Sequence, residues 1–427
     1  MFITAGLIGV LVAIAVLCAR TWFYETISDF DADLQVSRQD HVTKPAKPFS
    51  EYDRLIEDYL GNHTRITAAS FNATLKQATD PWLSRGASVL IQVLNNTIYV
   101  GRQHYTTPLP WDKLRYHHIL DRLLKIMPLP DVEFILNTHD CPLRALPVSP
   151  IFSITRCIGM NVLPVPQWFA WRDGSFENWD SKMVSYCETA EATVWGEKQK
   201  KAIFRGNVRP SVLQHVNGRL QFVNVTEETY KQLGRTKLYI LGQIRPDLLD
   251  VGLYGKGLHT GRSIIDLLDY EFKPPISMLH QAQQFRYVLY AEGACGWADR
   301  LKVLLASGML VLMQETPCVE HFQKLLQPWV HYVPINNDFS DLLDRIEWAN
   351  ANEETVREIV HNAQEFALHY NSQRGWDYYL ENLLRRYAEL QEYTPNRRQG
   401  TQKYLKACKC PNRRDLICDD WTSFQMG

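Results

Sequence analysis

The apolar and polar residues of this chain first divide it into a membrane-length segment and a polar spacer. Residues 2–18 are apolar throughout and stop at Arg20, which is close to the length needed to cross a bilayer. No clear cleavage site follows, which favours a retained signal anchor over a cleaved signal peptide. The polar stretch that contains DFDAD and ends in TKPAKPF is typical of a stem. We therefore predict an anchor at residues 1–20 and a stem at residues 21–50.

A first α/β region follows the stem. Helical periodicity runs from Glu51 to about Asp80, and β-branched and apolar residues crowd together in ASVLIQVLNNTIYVG and DVEFILNTHD, as in strands. The run HHILDRLLKIM between those two segments predicts a helix. Strands that alternate with helices indicate an α/β lobe, which we place at residues 51–190.

A second α/β region begins near Trp195, with strand-like runs AIFRG, LQFVNV and KLYILG. The sequence FRYVLYAEG–ACG–WADRLKVLLASG–MLVLM has the order strand, glycine turn, helix and strand, with Gly308 as the helix C-cap. Such units build parallel sheets, so we predict a second Rossmann-like lobe at residues 191–355. Closing helices at residues 356–395 and a polar, poorly packed, Cys-containing tail at residues 396–427 complete the chain.

Composition narrows the class of protein. A chain of 427 residues is too long for one compact core, and two lobes with a cleft between them are the expected arrangement. A net charge of −1 gives no electrostatic reason to expect a nucleic acid partner. Nine cysteines fit an oxidising compartment, and the Cys408, Cys410 and Cys418 cluster suits a disulfide better than zinc. Four N-glycosylation sequons fit a lumenal chain and stand at Asn62, Asn72, Asn95 and Asn224.

Three local patterns carry candidate chemistry. Asp140 follows a predicted buried strand at a Pro-containing turn, where an Asp is also a common turn former. Arg205 and Arg209 lie at the end of AIFRG, where they either bind phosphate or make a solvated turn. Gly296 leads into a predicted helix whose first turn holds Arg300, an arrangement that suits a diphosphate but also describes an ordinary βα turn.

Five collinear sequence blocks between about Asp112 and Leu390 link these three patterns to one protein family. They are LPDVEFILNTHDCP, VPQWFAW, the stretch from Trp195 to FRG, EGACGWADRLKVLLASGMLVLM and QPWVHYVPI. In this order they resemble the CAP10-type glycosyltransferases, glycosyltransferase family 90, which includes the protein O-glucosyltransferases of the secretory pathway.

The resemblance implies two Rossmann-like, GT-B-like lobes, with the nucleotide in the C-terminal lobe. It implies inversion at the anomeric carbon, transfer of glucose or xylose from a UDP-sugar to a protein or glycan hydroxyl, and no metal or other cofactor. The expected location is the lumen of the endoplasmic reticulum or Golgi, behind a single membrane helix. Asp140 takes the place of the family's catalytic base. The expected donor-binding residues are Gly206, Asn207, Arg209, Gly296, Trp297, Ala298, Asp299 and Arg300.

Elementary chemistry agrees with these roles. An inverting transfer needs one carboxylate beside the attacking hydroxyl, because that hydroxyl becomes acidic late in an oxocarbenium-like transition state. Asp140 supplies the carboxylate. The departing UDP needs a fixed positive charge, which Arg300 supplies.

Some positions depart from the family pattern. Asn207 replaces a frequent serine, and CGWAD is bulkier and more acidic than the family's small-residue run, so Trp297 is expected to narrow a sugar pocket. Trp168 and Trp171 either line the acceptor side or pack between the lobes. Ser307 occupies a position where animal members have Cys, so the family's disulfides are not expected.

Two rival interpretations stay open. A metal-dependent GT-A transferase would use the D-x-D string of DFDAD, but Asp29–Asp33 lie in the predicted stem rather than at a strand end. A non-catalytic lumenal protein that binds glycans or peptides would keep the fold, yet both Asp140 and Arg300 are present.

Overall fold

The computed structural model describes one compact unit that begins at Phe49. No helix in the described part of the chain is long and apolar enough to cross a bilayer, and the predicted anchor lies outside that part. The described residues are 49–61, 65–80, 88–101, 116–137, 139, 141, 147–167, 179–209, 211–217, 219–254, 267–268, 273–293, 295–405 and 417–418.

The described helices follow the predicted order for most of the chain. They are α1 (Ser50–Leu60), α2 (Ala68–Thr79), α3 (Tyr116–Ile126), α4 (Trp179–Glu191), α5 (Gly234–Ile244), α6 (Met278–Gln284), α7 (Leu301–Ala306), α8 (Leu342–Ala351), α9 (Glu353–Tyr370) and α10 (Gln373–Glu389).

The strands form two main sheets and two small ones. They are β1 (Ser88–Leu94), β2 (Thr97–Gly101), β3 (Val132–Asn137), β4 (Ile151–Ser153), β5 (Arg156–Cys157), β6 (Val162–Pro164), β7 (Gln199–Asn207), β8 (Ser211–Val216), β9 (Arg219–Asn224), β10 (Leu249–Tyr254), β11 (Phe285–Tyr290), β12 (Leu310–Gln314), β13 (Cys318–Val319), β14 (Val333–Ile335), β15 (Thr401–Leu405) and β16 (Ile417–Cys418).

The first sheet is mixed, with the order β16-β15-β2-β1-β3-β4-β6. Asn95 and Asn96 both have positive φ, at 47° and 55°, and join β1 to β2. This is the conformation of a two-residue hairpin turn, and such a short connection joins only antiparallel strands. β3, β4 and β6 run parallel. The first lobe is therefore α/β as predicted, but its sheet is mixed, whereas the sheet of a Rossmann-like lobe is mostly parallel.

The second sheet is parallel throughout, with the order β10-β7-β11-β12-β14. Every side chain of β11 and of β12 is buried. Continuous burial is expected for parallel strands that are covered on both faces, and it explains the runs FRYVLY and LVLMQ. The prediction of a parallel sheet built from βαβ units is confirmed here.

The C-terminal helices hold the two sheets together. α9 packs against α7 and β12 of the second sheet, whereas α10 packs against α1 and β3 of the first. From α10, Tyr379 Oη donates to the carbonyl of Pro164 at 2.7 Å and Tyr387 Oη to that of Pro150 at 3.0 Å. Trp376 packs against Trp179 with ring centroids 4.9 Å apart. One hydrophobic core accordingly contains residues of both sheets.

Three elements of the structure differ from the prediction. KLYILG lies in helix α5 rather than in a strand. The buried positions of α5 recur at helical spacing and include Arg235, Leu238, Tyr239 and Gly242. The helix predicted from Trp297 is only Leu301–Ala306, although Gly308 follows it with φ 67° as the predicted cap. The tail is not unpacked throughout, since β15 pairs with β2 at the edge of the first sheet.

Candidate active site

The candidate site lies at the carboxyl edge of the parallel sheet, where β7 and β11 end side by side. Open α/β sheets bind ligands at this edge, because loops diverge there and leave a crevice. β7 ends in Gly206 and Asn207, and the Asn207 side chain is exposed. A Cβ on Gly206 would lie 2.8 Å from the Phe204 ring and 3.0 Å from Nη1 of Arg235. Glycine is therefore the residue that lets the Arg235 guanidinium approach the strand.

Arg235, at the start of α5, is the most deeply buried cation of the site and is 5% exposed. Its Nε donates to the carbonyl of Glu292 and its Nη1 to that of Asn207, both at 3.0 Å, and its Nη2 donates to that of Ala291 at 3.3 Å. Arg235 therefore ties the end of β7 to the chain just beyond β11. Among the described residues no carboxylate lies within ion-pair distance of it.

The charge on Arg235 has no ion-pair partner among the described residues, and other positive charges lie near it. Burial, together with the positive charges of Arg300 and Arg209, lowers its pKa to about 9. The three arginines therefore lie close enough to repel one another. At neutral pH Arg235 remains charged, so this edge of the sheet concentrates positive charge that an anion would stabilise.

Arg300 and Arg209 are only partly buried. Arg300 Nη1 donates to the carbonyl of Arg205 at 2.8 Å, and its guanidinium lies 5.4 Å from the centre of the Phe204 ring. The Nε of Arg209 is buried and makes no hydrogen bond within the described part of the chain. Both side chains keep N–H groups for a ligand, because a guanidinium carries five. The predicted donor residues Gly206, Asn207, Arg209 and Arg300 are thus brought together.

Arg205 differs from these three. Its Nη2 lies 2.9 Å from Oδ2 of Asp250, and Lys273 Nζ lies 3.0 Å from the other oxygen of the same carboxylate. Arg205 Nη1 also donates to the carbonyl of Asp250 at 2.8 Å. The first arginine of the FRG block therefore joins β7 to β10 and does not reach the candidate site.

The loop before Arg300 is closely packed. Gly296 has φ 77°, and a Cβ there would lie 3.0 Å from Sγ of Cys318. Gly293 N donates to the carbonyl of Trp297 at 2.7 Å, and Ala298 N to Oη of Tyr290 at 3.0 Å. These bonds fix the backbone that leads to Arg300.

Trp297 and Asp299 are not arranged as the lining of a sugar pocket. Trp297 is 5% exposed and packs in a cluster with Leu213 and the cysteines of both disulfides, so its ring belongs to the core. The backbone carbonyl of Asp299 accepts from Lys302 Nζ at 3.2 Å. With six residues, α7 is too short to provide a strong helix dipole, so the positive charge at this edge rests on the arginine side chains.

The turn that contains the predicted base is organised by Asn137 at the end of β3. Its Oδ1 accepts from His139 N at 3.2 Å, and its Nδ2 donates to Oγ of Ser153 at 3.3 Å. Cys141 N donates to Nδ1 of His139 at 2.9 Å. An asparagine side chain that bonds the backbone two residues later is a standard way to build a tight turn. Asp140 itself lies outside the described residues, as do Trp168 and Trp171.

Two disulfides connect this region with the second half of the chain. Cys141 is bonded to Cys295, and Cys157 to Cys318, with Cα atoms 4.8 Å and 3.9 Å apart. Cys408 and Cys410 of the tail lie outside the described residues. The sequence alone did not indicate either observed pairing, because nine cysteines allow too many.

Glu292 is a further buried group that the sequence did not single out. It follows Ala291 beyond β11 and is 3% exposed, and neither carboxylate oxygen has a hydrogen-bond partner within the described residues. Burial raises its pKa to about 8, against the opposing effect of the Arg235 charge. At neutral pH the Glu292 carboxyl is therefore largely protonated and does not cancel the positive charge of the arginines.

The family model for glycosyl transferase family 90 matches residues 72–420. The chain therefore belongs to glycosyl transferase family 90. It is 28% identical to mouse protein O-glucosyltransferase 3 over 344 residues, which cover 77% of this chain and 62% of the mouse protein. It is 26% identical to bovine protein O-glucosyltransferase 1 over 286 residues, 64% of this chain and 66% of that protein.

The chain thus spans somewhat under two thirds of the mouse relative's length. Among solved structures, a glycosyltransferase from Rickettsia africae ESF-5 aligns with a TM-score of 0.34 and 9% identity, covering 56% of this chain and 63% of that one.

Proposed function

We propose that this protein is an inverting, metal-independent glycosyltransferase with a GT-B-like fold that moves glucose or xylose from a UDP-sugar to a hydroxyl of a protein or glycan. The proposal extends to a secretory-pathway location with the active site in the lumen. Its main support is the group Arg209, Arg235 and Arg300 at the carboxyl edge of the parallel sheet, which has no ion-pair partner among the described residues. Such a group matches the charge of a diphosphate, and arginine binds phosphate oxygens in a bidentate manner.

The reaction follows from two sets of groups. Asp140 accepts the proton of the acceptor hydroxyl as that oxygen bonds to the anomeric carbon, and the bond from this carbon to the diphosphate breaks on the opposite face. Arg300 and Arg209 stabilise the charge that develops on the departing phosphate. Arg235 donates to carbonyls at the ends of both strands, so it holds the backbone around the diphosphate site in place.

The first experiment identifies the donor. The purified full-length protein is incubated with a panel of UDP-sugars, and donor hydrolysis is measured together with UDP binding by calorimetry. We expect UDP to bind and UDP-glucose or UDP-xylose to be hydrolysed faster than other donors. UDP binding without hydrolysis of any donor would favour the non-catalytic binding protein, and absence of both would refute the proposal.

Substitutions then separate the two roles. Asp140→Asn should leave UDP affinity within about threefold of wild type while kcat falls about 10²–10⁴-fold, the usual contribution of a positioned base. Arg300→Ala should weaken UDP binding by about 2–4 kcal/mol, because a charge-assisted bond to phosphate is lost. Arg245→Ala is the matched control, since Arg245 pairs with Asp247 and Glu347 on the surface. Loss of UDP binding in Asp140→Asn would refute its assignment as the base.

A further inference from the structure

The Cys141–Cys295 disulfide connects two segments to which the proposed function gives different tasks. Cys141 directly follows Asp140, the predicted base, whereas Cys295 opens the loop that leads to Arg300. The two cysteines are 154 residues apart in sequence, and their Cα atoms are 4.8 Å apart. One covalent bond therefore joins the turn of the base to the loop of the leaving-group arginine.

On the first side of the bond, hydrogen bonds among the described residues hold the beginning of the turn. Asn137 bonds His139 N and Ser153 Oγ, which anchors the start of the turn to β3 and β4. Cys141 N then bonds the His139 ring, a contact within the turn itself. Within the described residues, the disulfide is the link from the far end of this turn to the second half of the chain.

On the second side, the loop is rigid. Cys295 is 3% exposed, and the next residue, Gly296, packs against Leu213 and Cys318. Ala298 N donates to Tyr290 Oη, and Arg300 Nη1 donates to the carbonyl of Arg205 at the end of β7. Cys295 is thus a fixed point with a short, well-bonded path to Arg300.

We propose that the Cys141–Cys295 disulfide is a positioning element that sets the distance between the base turn and the diphosphate-binding loop. The inference rests on the proposed function. Proton abstraction and departure of the leaving group occur at opposite faces of one carbon, so both groups must be held in register. A misplacement of about 1 Å is enough to cost about 10²-fold in rate.

The second disulfide provides a matched control. Cys157 and Cys318 are 161 residues apart, so they close a loop of nearly the same length. The two cysteines are also opposite each other in the β5–β13 strand pair, and Ile158 N donates to the carbonyl of Pro317 at 3.0 Å. Backbone pairing therefore keeps these segments together when the Cys157–Cys318 bond is removed.

The test compares Cys141→Ser/Cys295→Ser with Cys157→Ser/Cys318→Ser in the full-length protein. Peptide mapping without reductant first establishes the pairs in wild type. Because the two loops are of similar length, both variants should lose a similar amount of thermal stability. Both should bind UDP within about threefold of wild type, since the arginines are unchanged. Only the Cys141/Cys295 variant should lose kcat for UDP-sugar hydrolysis, by at least about tenfold.

Several outcomes would overturn the inference. These are a free thiol at Cys141 or Cys295 in the mapped protein, an unchanged kcat in the Cys141/Cys295 variant, or an equal loss of kcat in both variants. If the serine variant does not fold, Cys141→Ala/Cys295→Val replaces it, because apolar atoms then fill the space of the sulfurs. A wild-type protein that neither binds UDP nor hydrolyses UDP-sugars would instead refute the proposed function, so the two failures are distinguishable.

Discussion

Glu292 offers a quantitative test of the electrostatics at the candidate site. Its carboxyl is buried without a hydrogen-bond partner in the described part of the chain, and its pKa is raised to about 8 by burial. Between the ordinary pKa of 4.5 and a pKa of about 8, the unfolded chain releases this proton whereas the folded chain keeps it. The folded state therefore binds more protons, and its stability falls as the pH rises through this range.

The size of the effect follows from the same two pKa values. Each pH unit in this range corresponds to about 1.4 kcal/mol. The free energy of unfolding of wild type should therefore fall by up to about 4–5 kcal/mol between pH 4.5 and 8 through Glu292 alone, and by little more above pH 8. Glu292→Gln removes the titrating proton and keeps the shape of the side chain. Because its amide is also buried, the comparison uses the pH dependence of the free energy of unfolding.

The assay is chemical denaturation without reductant at several pH values between 4.5 and 9. The free energy of unfolding of wild type should fall relative to that of Glu292→Gln as the pH rises, so that subtraction cancels the other titrating groups. Glu315→Gln is the control, because Glu315 follows the neighbouring strand β12 but is exposed, and this variant should follow wild type. Parallel pH profiles for wild type and Glu292→Gln would refute the assignment of a buried, protonated Glu292.

Three further predictions concern metal, glycans and the core. Activity on UDP-sugars should survive EDTA with little loss, because Arg300 supplies leaving-group charge, and strict dependence on Mn²⁺ or Mg²⁺ would contradict this. Asn95 is exposed on a hairpin turn, whereas Oδ1 of Asn72 accepts a hydrogen bond from an arginine, so Asn95 should be glycosylated to a greater extent than Asn72. Site-specific mass spectrometry after expression in a secretory host compares the two sites. Lys302→Met should destabilise the protein by about 3–5 kcal/mol in denaturation, because it leaves Glu320 buried without its ion-pair partner, whereas Lys302→Met/Glu320→Leu should recover most of the loss.

Much of the fold could be predicted from the sequence because it depends on local patterns. The strand character of the β1–β2 and β3 segments, the parallel sheet and the C-terminal helices all follow from periodicity and residue type. The strand prediction for KLYILG is wrong because its aliphatic and aromatic residues are typical of strands, whereas its burial follows the period of a helix. The strand β15 was missed because its stability comes from pairing with β2, about three hundred residues earlier, and not from its own composition.

The site could be predicted in part for the same reason. Arg300 belongs to a block that the family resemblance identified and Arg209 lies just beyond the FRG block, but Arg235 lies in LGRTK, which has no comparable motif. Its importance arises only when α5 brings it to the end of β7. The Cys141–Cys295 pairing cannot be predicted from the sequence either, because the spacing of the cysteines does not determine which of them are bonded.

The contrast between Arg205 and the other arginines shows how the same residue type serves two purposes at one strand end. Arg205 is neutralised by Asp250, so its burial is offset within the folded chain and it contributes to the sheet. Arg235 is buried among carbonyls with Arg300 and Arg209 nearby, so much of its desolvation cost is not repaid by a carboxylate. A buried charge without an ion-pair partner among the described residues gains stabilisation when an anion binds. In the proposed reaction the diphosphate of the nucleotide sugar supplies two phosphate groups at once, so this electrostatic term favours tight binding of the diphosphate and opposes release of the UDP product.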